Sequence, residues 1–463
     1  MNTKENIKQR VIYLLVCISL LPLNFACRKY LDIDPPSGSL VATSVYSNRD
    51  NATSALNGIY SNFFSSYYFS VQIPTSAVLL SDEATFIQSS YDDLVNNVLN
   101  ARNIFSSEGW RNLYQVIYQA NTFIEQVKAS GLDDKFRSTS IAEAKFIRAY
   151  AYFHLVNFFG AVPLVLTGNL TISATLPRTD PAIIYKQMIQ DLKDAGNNIS
   201  ADINSRSKVT PAAIQALLAK VYLYTGDYAN ALSYSSKVIN SAAFQLEDPD
   251  KVFLRTSRET ILKSNTSNGV LGTIFNFTII GFYFRPINNE ATYLLRDGLL
   301  NSFEQGDKRK SSWTGSVKSS VGTVGSFPYK YKLSNAPANM ALAEDYVYLR
   351  LAEVYLIRAE AAVKTGDWNL ARNDINKIRE RAGLPGYTTS LNTEQGLLLA
   401  IEHERQVELF SESADRWFDL KRTNRIDAVL GAVKPMWKPY AKYLPVPQAE
   451  IEANHNLTQN EGY

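Results

Sequence analysis

One short phrase occurs twice in this chain and constrains its architecture more than any bulk property. Thr225-Gly226-Asp227-Tyr228 is followed by Ala231, and Thr365-Gly366-Asp367-Trp368 by Ala371. Helical periodicity flanks both copies. The glycine supplies a residue free to leave the helical region, and the aspartate supplies a carboxylate for the free N–H groups of the next helix. After the second turn, Ala371, Ile375, Ile378 and Ala382 share one helical face; Ala231, Ser235, Val238 and Ala242 keep the same spacing after the first. These small alanines let two helices approach closely. The helix before the second turn is apolar around most of its circumference, with Arg350, Glu353, Glu360 and Lys364 as a narrow polar stripe. Such a helix is sandwiched between neighbours. Gly383-Leu384-Pro385 then reads as a helix stop. The pattern predicts a mostly α fold built from tetratricopeptide-like helical hairpins.

The chain has 463 residues, enough for a large core. Its 47 basic and 44 acidic residues leave a formal charge of +3, which gives no support for a nucleic-acid partner. Near the start, Lys4, Lys8 and Arg10 precede an apolar run from Val11 to about Ala26. That length suits a secretory signal and is short for a membrane span. The run ends at Ala26-Cys27, which resembles a bacterial lipobox. Residues 1–26 are therefore expected to be a signal peptide, Cys27 to carry lipid, and residues 27–40 to form a tether. The cysteines are Cys17 and Cys27, so lipidation would leave the exported chain without a free thiol or a disulfide, dependent on the size of its core. Residues 41–463 are expected to form a single domain.

Along that domain, helical patterns cover 42–60, about 141–159 and 179–199, and Thr210-Pro211 opens the first repeated hairpin. Trp110, Leu113, Tyr114 and Ile117 share a face of another helix. Residues 75–108 read as loops with short helices. From about 244 to 340 the helical pattern weakens: FNFTIIGFYFRP has β character, LLNSFEQGDKRK a short helix and turn, and SSWTGSVKSSVGTVGS is Ser/Gly-rich. This region is expected to be an irregular insertion packed on the helices. Helices return through the second hairpin and over about 394–409, and the tail is expected along the surface.

Seven stretches also carry a resemblance. CRKYLDIDPP, WRNLYQVIYQAN, EAKFIRAYAYFHLVNFFGAVPLV, ALLAKVYLYTGDY, YLRLAEVYLIRAEA, ERQVELFSESADRWFDLKR and YLPVPQAEIEANHNLTQN, in this order, are similar to segments of the SusD/RagB family of outer-membrane nutrient-binding lipoproteins. The resemblance implies tetratricopeptide-like hairpins with a more variable ligand-facing region, here the insertion. It implies a lipid anchor on the outer surface of a Gram-negative outer membrane. It also implies a SusC-like TonB-dependent transporter as partner and an oligosaccharide, or in some members a peptide, as ligand. No cofactor is expected.

Catalytic patterns are weak. His403-Glu404 opens like a helical zinc-protease motif, but position 407 is Val407 where a second histidine is needed. His154, His403 and His455 have no metal-ligand spacing, so no metal site is expected. Glu404, Glu408, Glu412, Asp415 and Asp419 could supply a glycosidase pair. Arg405, Arg416, Lys421 and Arg422 are interleaved with them, as in a salt-bridge network, and a non-enzyme is expected. Sugar binding asks for exposed rings beside polar side chains. Candidate ligand contacts are Trp313 in KSSWTGS; Tyr67 and Tyr68 in SSYYFS; Tyr91 with Asn96 and Asn97; and Tyr283 with Arg285. Trp110, Trp368 and Trp417 sit in helical motifs and are assigned to packing. The leading expectation is non-catalytic oligosaccharide capture. The alternatives are an oligopeptide ligand on the same fold, a tetratricopeptide scaffold for another protein, and a surface glycosidase.

Overall fold

The computed structural model describes residue 7 and residues 45–199, 205–264, 276–288, 290–318 and 324–463. Apart from Ile7, the expected signal peptide, Cys27 and the tether lie outside the described residues. The chain divides into two units, Met1–Val45 and Tyr46–Tyr463, and the second carries the elements described below.

Its scaffold is helical: α1 (Arg49–Phe64), α2 (Ile104–Ala129), α3 (Asp134–Phe159), α4 (Pro181–Asn198), α5 (Pro211–Tyr224), α6 (Tyr228–Ile239), α7 (Leu351–Thr365), α8 (Trp368–Arg381), α9 (Glu394–Leu409) and α10 (Asp415–Arg422). Packing follows chain order: α2 against α3, α3 against α4, α5 against α6, and α7 against α6, α8 and α9. The two repeated turns behave as their chemistry dictates. Gly226 and Gly366 take φ of 74° and 89°, Asp227 accepts the N–H of Asn230, and Asp367 accepts that of Leu370. Helix α3 starts seven residues before the expected Ile141, where Asp133 caps it by accepting the N–H of Phe136. Its exposed first turns carry no apolar periodicity, so only the cap marks them.

The centre of the core is α3, in which every residue from Phe146 to Phe159 is buried. Polar groups inside it are matched. Arg148 is bidentate to Asp191 at 2.6 and 2.8 Å and donates to Asn121 Oδ1 at 2.7 Å. Burial holds the His154 imidazole down at about 4, hence neutral, with Nδ1 3.0 Å from the Tyr150 carbonyl.

Six short strands are described: β1 (Ala84–Phe86), β2 (Thr260–Lys263), β3 (Tyr293–Leu295), β4 (Thr314–Lys318), β5 (Val324–Pro328) and β6 (Val347–Arg350). They form three antiparallel pairs, β1 with β3, β2 with β6, and β4 with β5. Two expectations are corrected here. FNFTIIGFYFRP contains a helix, Ile279–Phe284, and no named strand among its described residues. Thr278 Oγ1 accepts the Gly281 N–H, and a Cβ at Gly281 would stand 2.5 Å from the Leu333 carbonyl, so tertiary packing overrides the local β preference. The Ser/Gly-rich stretch, in turn, closes into the β4–β5 hairpin, with Thr314 opposite Pro328 and Gly315 opposite Phe327.

The interleaved charges of 404–422 do form a network, and it is internal. Glu408, fully buried, pairs with Arg350 at 2.6 Å, Arg309 at 3.0 Å and Arg381. Burial alone would raise its carboxyl, but Arg381, Arg350 and Arg309 hold it far below the usual range. Glu412 takes Arg350 and Lys330 at 2.7 and 2.6 Å, and Glu404 takes Arg309 and Arg379 at 2.9 and 2.8 Å. The insertion thereby contributes Arg309 and Lys330 to carboxylates of α9 and the residues after it.

Candidate functional site

A wide helical turn builds the first part of the site. Tyr68–Gln72 is a π-helical turn that leads directly into the buried helix Ile73–Leu80, and Tyr67 stands immediately before it. The turn directs consecutive rings apart: Tyr68 and Phe69 are each 3% exposed, whereas Tyr67 is 48% exposed. The helix Ile279–Phe284 packs on this turn and brings Tyr283 to Tyr67, ring centroids 5.7 Å apart and edge to face. Burial first, and the Tyr283 hydroxyl second, push the Tyr67 phenol well above its ordinary value, so it stays a neutral donor near neutral pH.

Strand pairing adds the second part. The β1–β3 register sets Phe86 opposite Tyr293, their rings 4.8 Å apart. Tyr91 then packs edge-on against Phe86 at 4.8 Å. Phe284 anchors Tyr293 from below at 5.2 Å, and Phe282 stands 6.0 Å from Tyr283. Tyr67, Tyr91 and Phe282 each expose more than a third of their surface, and Ile87, Ile279 and Ile287 do the same on the segments that carry them. The result is a run of exposed ring faces and edges on a buried aromatic footing. Such a surface can stack the apolar face of a pyranose and offer phenol hydroxyls to its hydroxyl groups.

The candidates therefore separate. Tyr67, Tyr91 and Tyr283 are brought together at the surface. Trp313, Tyr68 and Asn97 are not, which corrects the expectation that they stand exposed. Trp313 is fully buried, donates Nε1–H to the Pro249 carbonyl at 2.8 Å, and lies 4.5 Å from the Lys330 ammonium. It ends the helix Lys308–Trp313 one turn after Arg309, and both lie in the charge network, Trp313 against Lys330, Arg350 and Arg381. Asn97, 3% exposed and left-handed at φ 56°, donates to the Leu80 carbonyl and accepts from Lys434. Asn96 spends its amide on the Asp92 carbonyl within the short helix Asp92–Asn96, and Arg285 donates to Lys332 O and Ser334 Oγ, tying its segment to the 332–334 loop. Phe86, Phe282 and Tyr293 were missed by sequence reasoning. Phe282 lies next to Tyr283, but nothing local announces Phe86 or Tyr293, because only the β1–β3 register joins them.

Glu404, Glu408, Glu412, Asp415 and Asp419 are buried and each bonds a cation of the chain. They are not two carboxylates facing each other across a cleft, the arrangement a glycosidase needs. Glu304, His403 and Glu404 approach one another closely enough to hold an ion. Arg379 already occupies both carboxylates, however, at 2.5 and 2.8 Å, and its charge opposes a metal there.

Comparison with known proteins agrees across the chain. A family model described as the SusD family matches residues 297–463, and one described as "Starch-binding associating with outer membrane" matches residues 29–223. "SusD-like protein P2" of Formosa agariphila is 26% identical over 491 residues, covering 92% of this chain and 95% of that protein. "Starch-binding protein SusD" of Bacteroides thetaiotaomicron is 25% identical over 434 residues, 75% of this chain and 76% of that one. Among solved structures, a "Laminarin binding SusD-like protein" superposes with a TM-score of 0.76 at 24% identity, covering 90% of this chain and 100% of the other. "Surface glycan-binding protein A" of Bacteroides thetaiotaomicron gives 0.75 at 20% identity, with coverage of 90% and 100%. These likenesses show the same tetratricopeptide-like helical fold.

Proposed function

The chain belongs to the SusD family, and from that premise we propose that it captures glycan nutrients at the cell surface without cleaving them and passes them to a SusC-like TonB-dependent transporter. The observation that carries this reading is the surface cluster of exposed Tyr67 and Tyr91 with half-buried Tyr283, backed by the buried rings of Phe284 and Tyr293. Similar proteins named for starch, laminarin or surface-glycan binding support the ligand class. Attachment to the outer membrane through lipid on Cys27 belongs to the same proposal, as does removal of residues 1–26 and a single domain from residue 41. The pairing of the 404–419 carboxylates with arginine and lysine supports a binding role over hydrolysis.

The test is calorimetry and affinity electrophoresis of the purified chain against neutral glycans and peptide pools, with product analysis of each mixture. Binding of a glycan that is recovered intact is expected. Tyr67→Ala and Tyr283→Ala should each weaken it about 3- to 10-fold, the worth of one stacking ring, with thermal unfolding little changed. Binding of peptides alone would replace the ligand class. Cleaved product would overturn the non-catalytic reading.

A further inference from the structure

The helix Ile279–Phe284, which presents Phe282 and Tyr283, has six residues and is too short to hold itself. It buries Ile280 and Phe284, and the rest of its hold is polar. Glu344, itself buried, grips the chain on both sides of it. The Glu344 N–H donates to the Asn276 carbonyl at 3.2 Å, two residues before the helix cap Thr278. The Glu344 carboxylate accepts the N–H groups of Lys332 and Leu333 at 2.7 and 3.3 Å. These two residues lie against the helix. The Leu333 carbonyl faces Gly281, and the Lys332 carbonyl accepts from Arg285, the residue that closes the helix.

One terminal nitrogen of Arg285 makes both of its bonds, to Lys332 O at 2.8 Å and to Ser334 Oγ at 3.0 Å. Arg255 fixes the other end, donating to Asn276 Oδ1 at 2.8 Å while it pairs with Asp345 through two bonds of 3.1 Å. Asn276 is left-handed at φ 55°, a conformation that persists where the surroundings impose it. The bonds of Arg285 and Glu344 thus go to the chain, and a ligand feels them through the helix. Tyr67 stands on a different segment, its ring 5.7 Å from that of Tyr283. Edge-to-face pairing holds over roughly 4.5–7 Å between centroids, so a helix displaced by little more than about 1 Å loses the pair.

We propose, on the glycan reading of the aromatic cluster, that Arg285 and Glu344 are positioning residues which fix this helix so that Tyr283 meets Tyr67 in the arrangement a sugar ring recognises. Fluorine NMR of the full chain carrying 3-fluorotyrosine reads the pair without ligand, the two signals being assigned through Tyr67→Phe and Tyr283→Phe. Calorimetry with laminarin and soluble starch reads affinity. Arg285→Ala should shift both signals and weaken binding about 3- to 10-fold, as Tyr283→Ala does. In a Tyr283→Ala background it should add nothing, because the two act as a unit. Arg285→Lys, whose ammonium can give both bonds from one nitrogen, should restore signals and affinity. Glu344→Gln, which turns one acceptor into a donor, should act as Arg285→Ala does and serves as the test if Arg285→Ala does not fold. Signals unchanged in both variants would overturn the proposal. So would an Arg285→Ala loss that persists in full on top of Tyr283→Ala, which would place Arg285 on the ligand. A parent that binds neither glucan would count against the glycan reading, and the fluorine signals would still uphold or overturn the positioning.

Discussion

Trp313→Ala is expected to unfold the protein more easily while leaving glycan affinity of the folded chain intact. The indole is fully buried, its nearest ring neighbours being Phe253 at 5.9 Å and Phe410 at 6.4 Å. Truncating a buried tryptophan costs about 3–5 kcal/mol through lost transfer energy and the cavity left behind. The Pro249 carbonyl also loses its donor, about 1 kcal/mol more. Lys330, with its ammonium 4.5 Å from the ring centroid, loses a cation–π contact of similar size. At least about 4 kcal/mol should go, a large part of the roughly 5–15 kcal/mol that folded domains possess. Urea unfolding followed by circular dichroism reads the loss, and Trp313→Phe, which keeps a ring, should lose about half as much or less. Binding is then measured at low temperature on the folded fraction. A variant within about 1 kcal/mol of its parent that has lost glycan binding would refute the argument and return Trp313 to a ligand surface.

Other perturbations follow from the same contacts. Glu408→Gln leaves Arg350, Arg309 and Arg381 facing a neutral group inside the core, and urea titration should show a loss of about 3–5 kcal/mol; a loss near zero would mean that the network is hydrated. Asp367→Ala removes the cap on Leu370 N–H and should cost about 1 kcal/mol, with Asp367→Asn nearly neutral. Glu83 gives a pH signature. Burial first, and Asp82 second, push its carboxyl from 4.5 up to about 8, so the fold holds a proton that the unfolded chain releases. Stability should therefore fall as pH rises from about 4.5 towards 8, by at most about 1.4 kcal/mol per pH unit from this group. Glu83→Gln should flatten the profile over that window, and parallel curves for parent and variant would exclude the assignment. Asp419 gives the opposite sign at lower pH: burial would raise it, but Arg405 and Arg422 hold it at about 2, so its contribution is lost as pH falls from about 4 towards 2.

The helical scaffold was legible because its rules are local. Gly226, Gly366, Asp227 and Asp367 state their roles within four residues, and the apolar circumference of α7 states that it is enclosed. The acids and bases over 404–422 signalled ion pairing, but only Asp419 finds its partners, Arg405 and Arg422, in that stretch; Glu404, Glu408, Glu412 and Asp415 draw theirs from distant segments, which no local pattern shows. The candidate site was legible only in part. Tyr67, Tyr91 and Tyr283 were picked out for polar neighbours in sequence, but those neighbours, Asn96, Asn97 and Arg285, turned out to bind the chain itself.

What the sequence settles alone is thus whatever depends on spacing along one helix or on the chemistry of one turn: helix faces, caps, and the tetratricopeptide-like class. Which aromatic residues face solvent is decided by tertiary structure. Burial is set by what packs above a residue, and for Trp313 and Phe86 those partners come from segments distant in sequence. KSSWTGS reads as an open loop until Pro249, Phe253, Phe410 and Lys330 meet around the Trp313 ring. The Phe86–Tyr293 pair exists only because two three-residue strands, separated by more than two hundred residues, meet in one register.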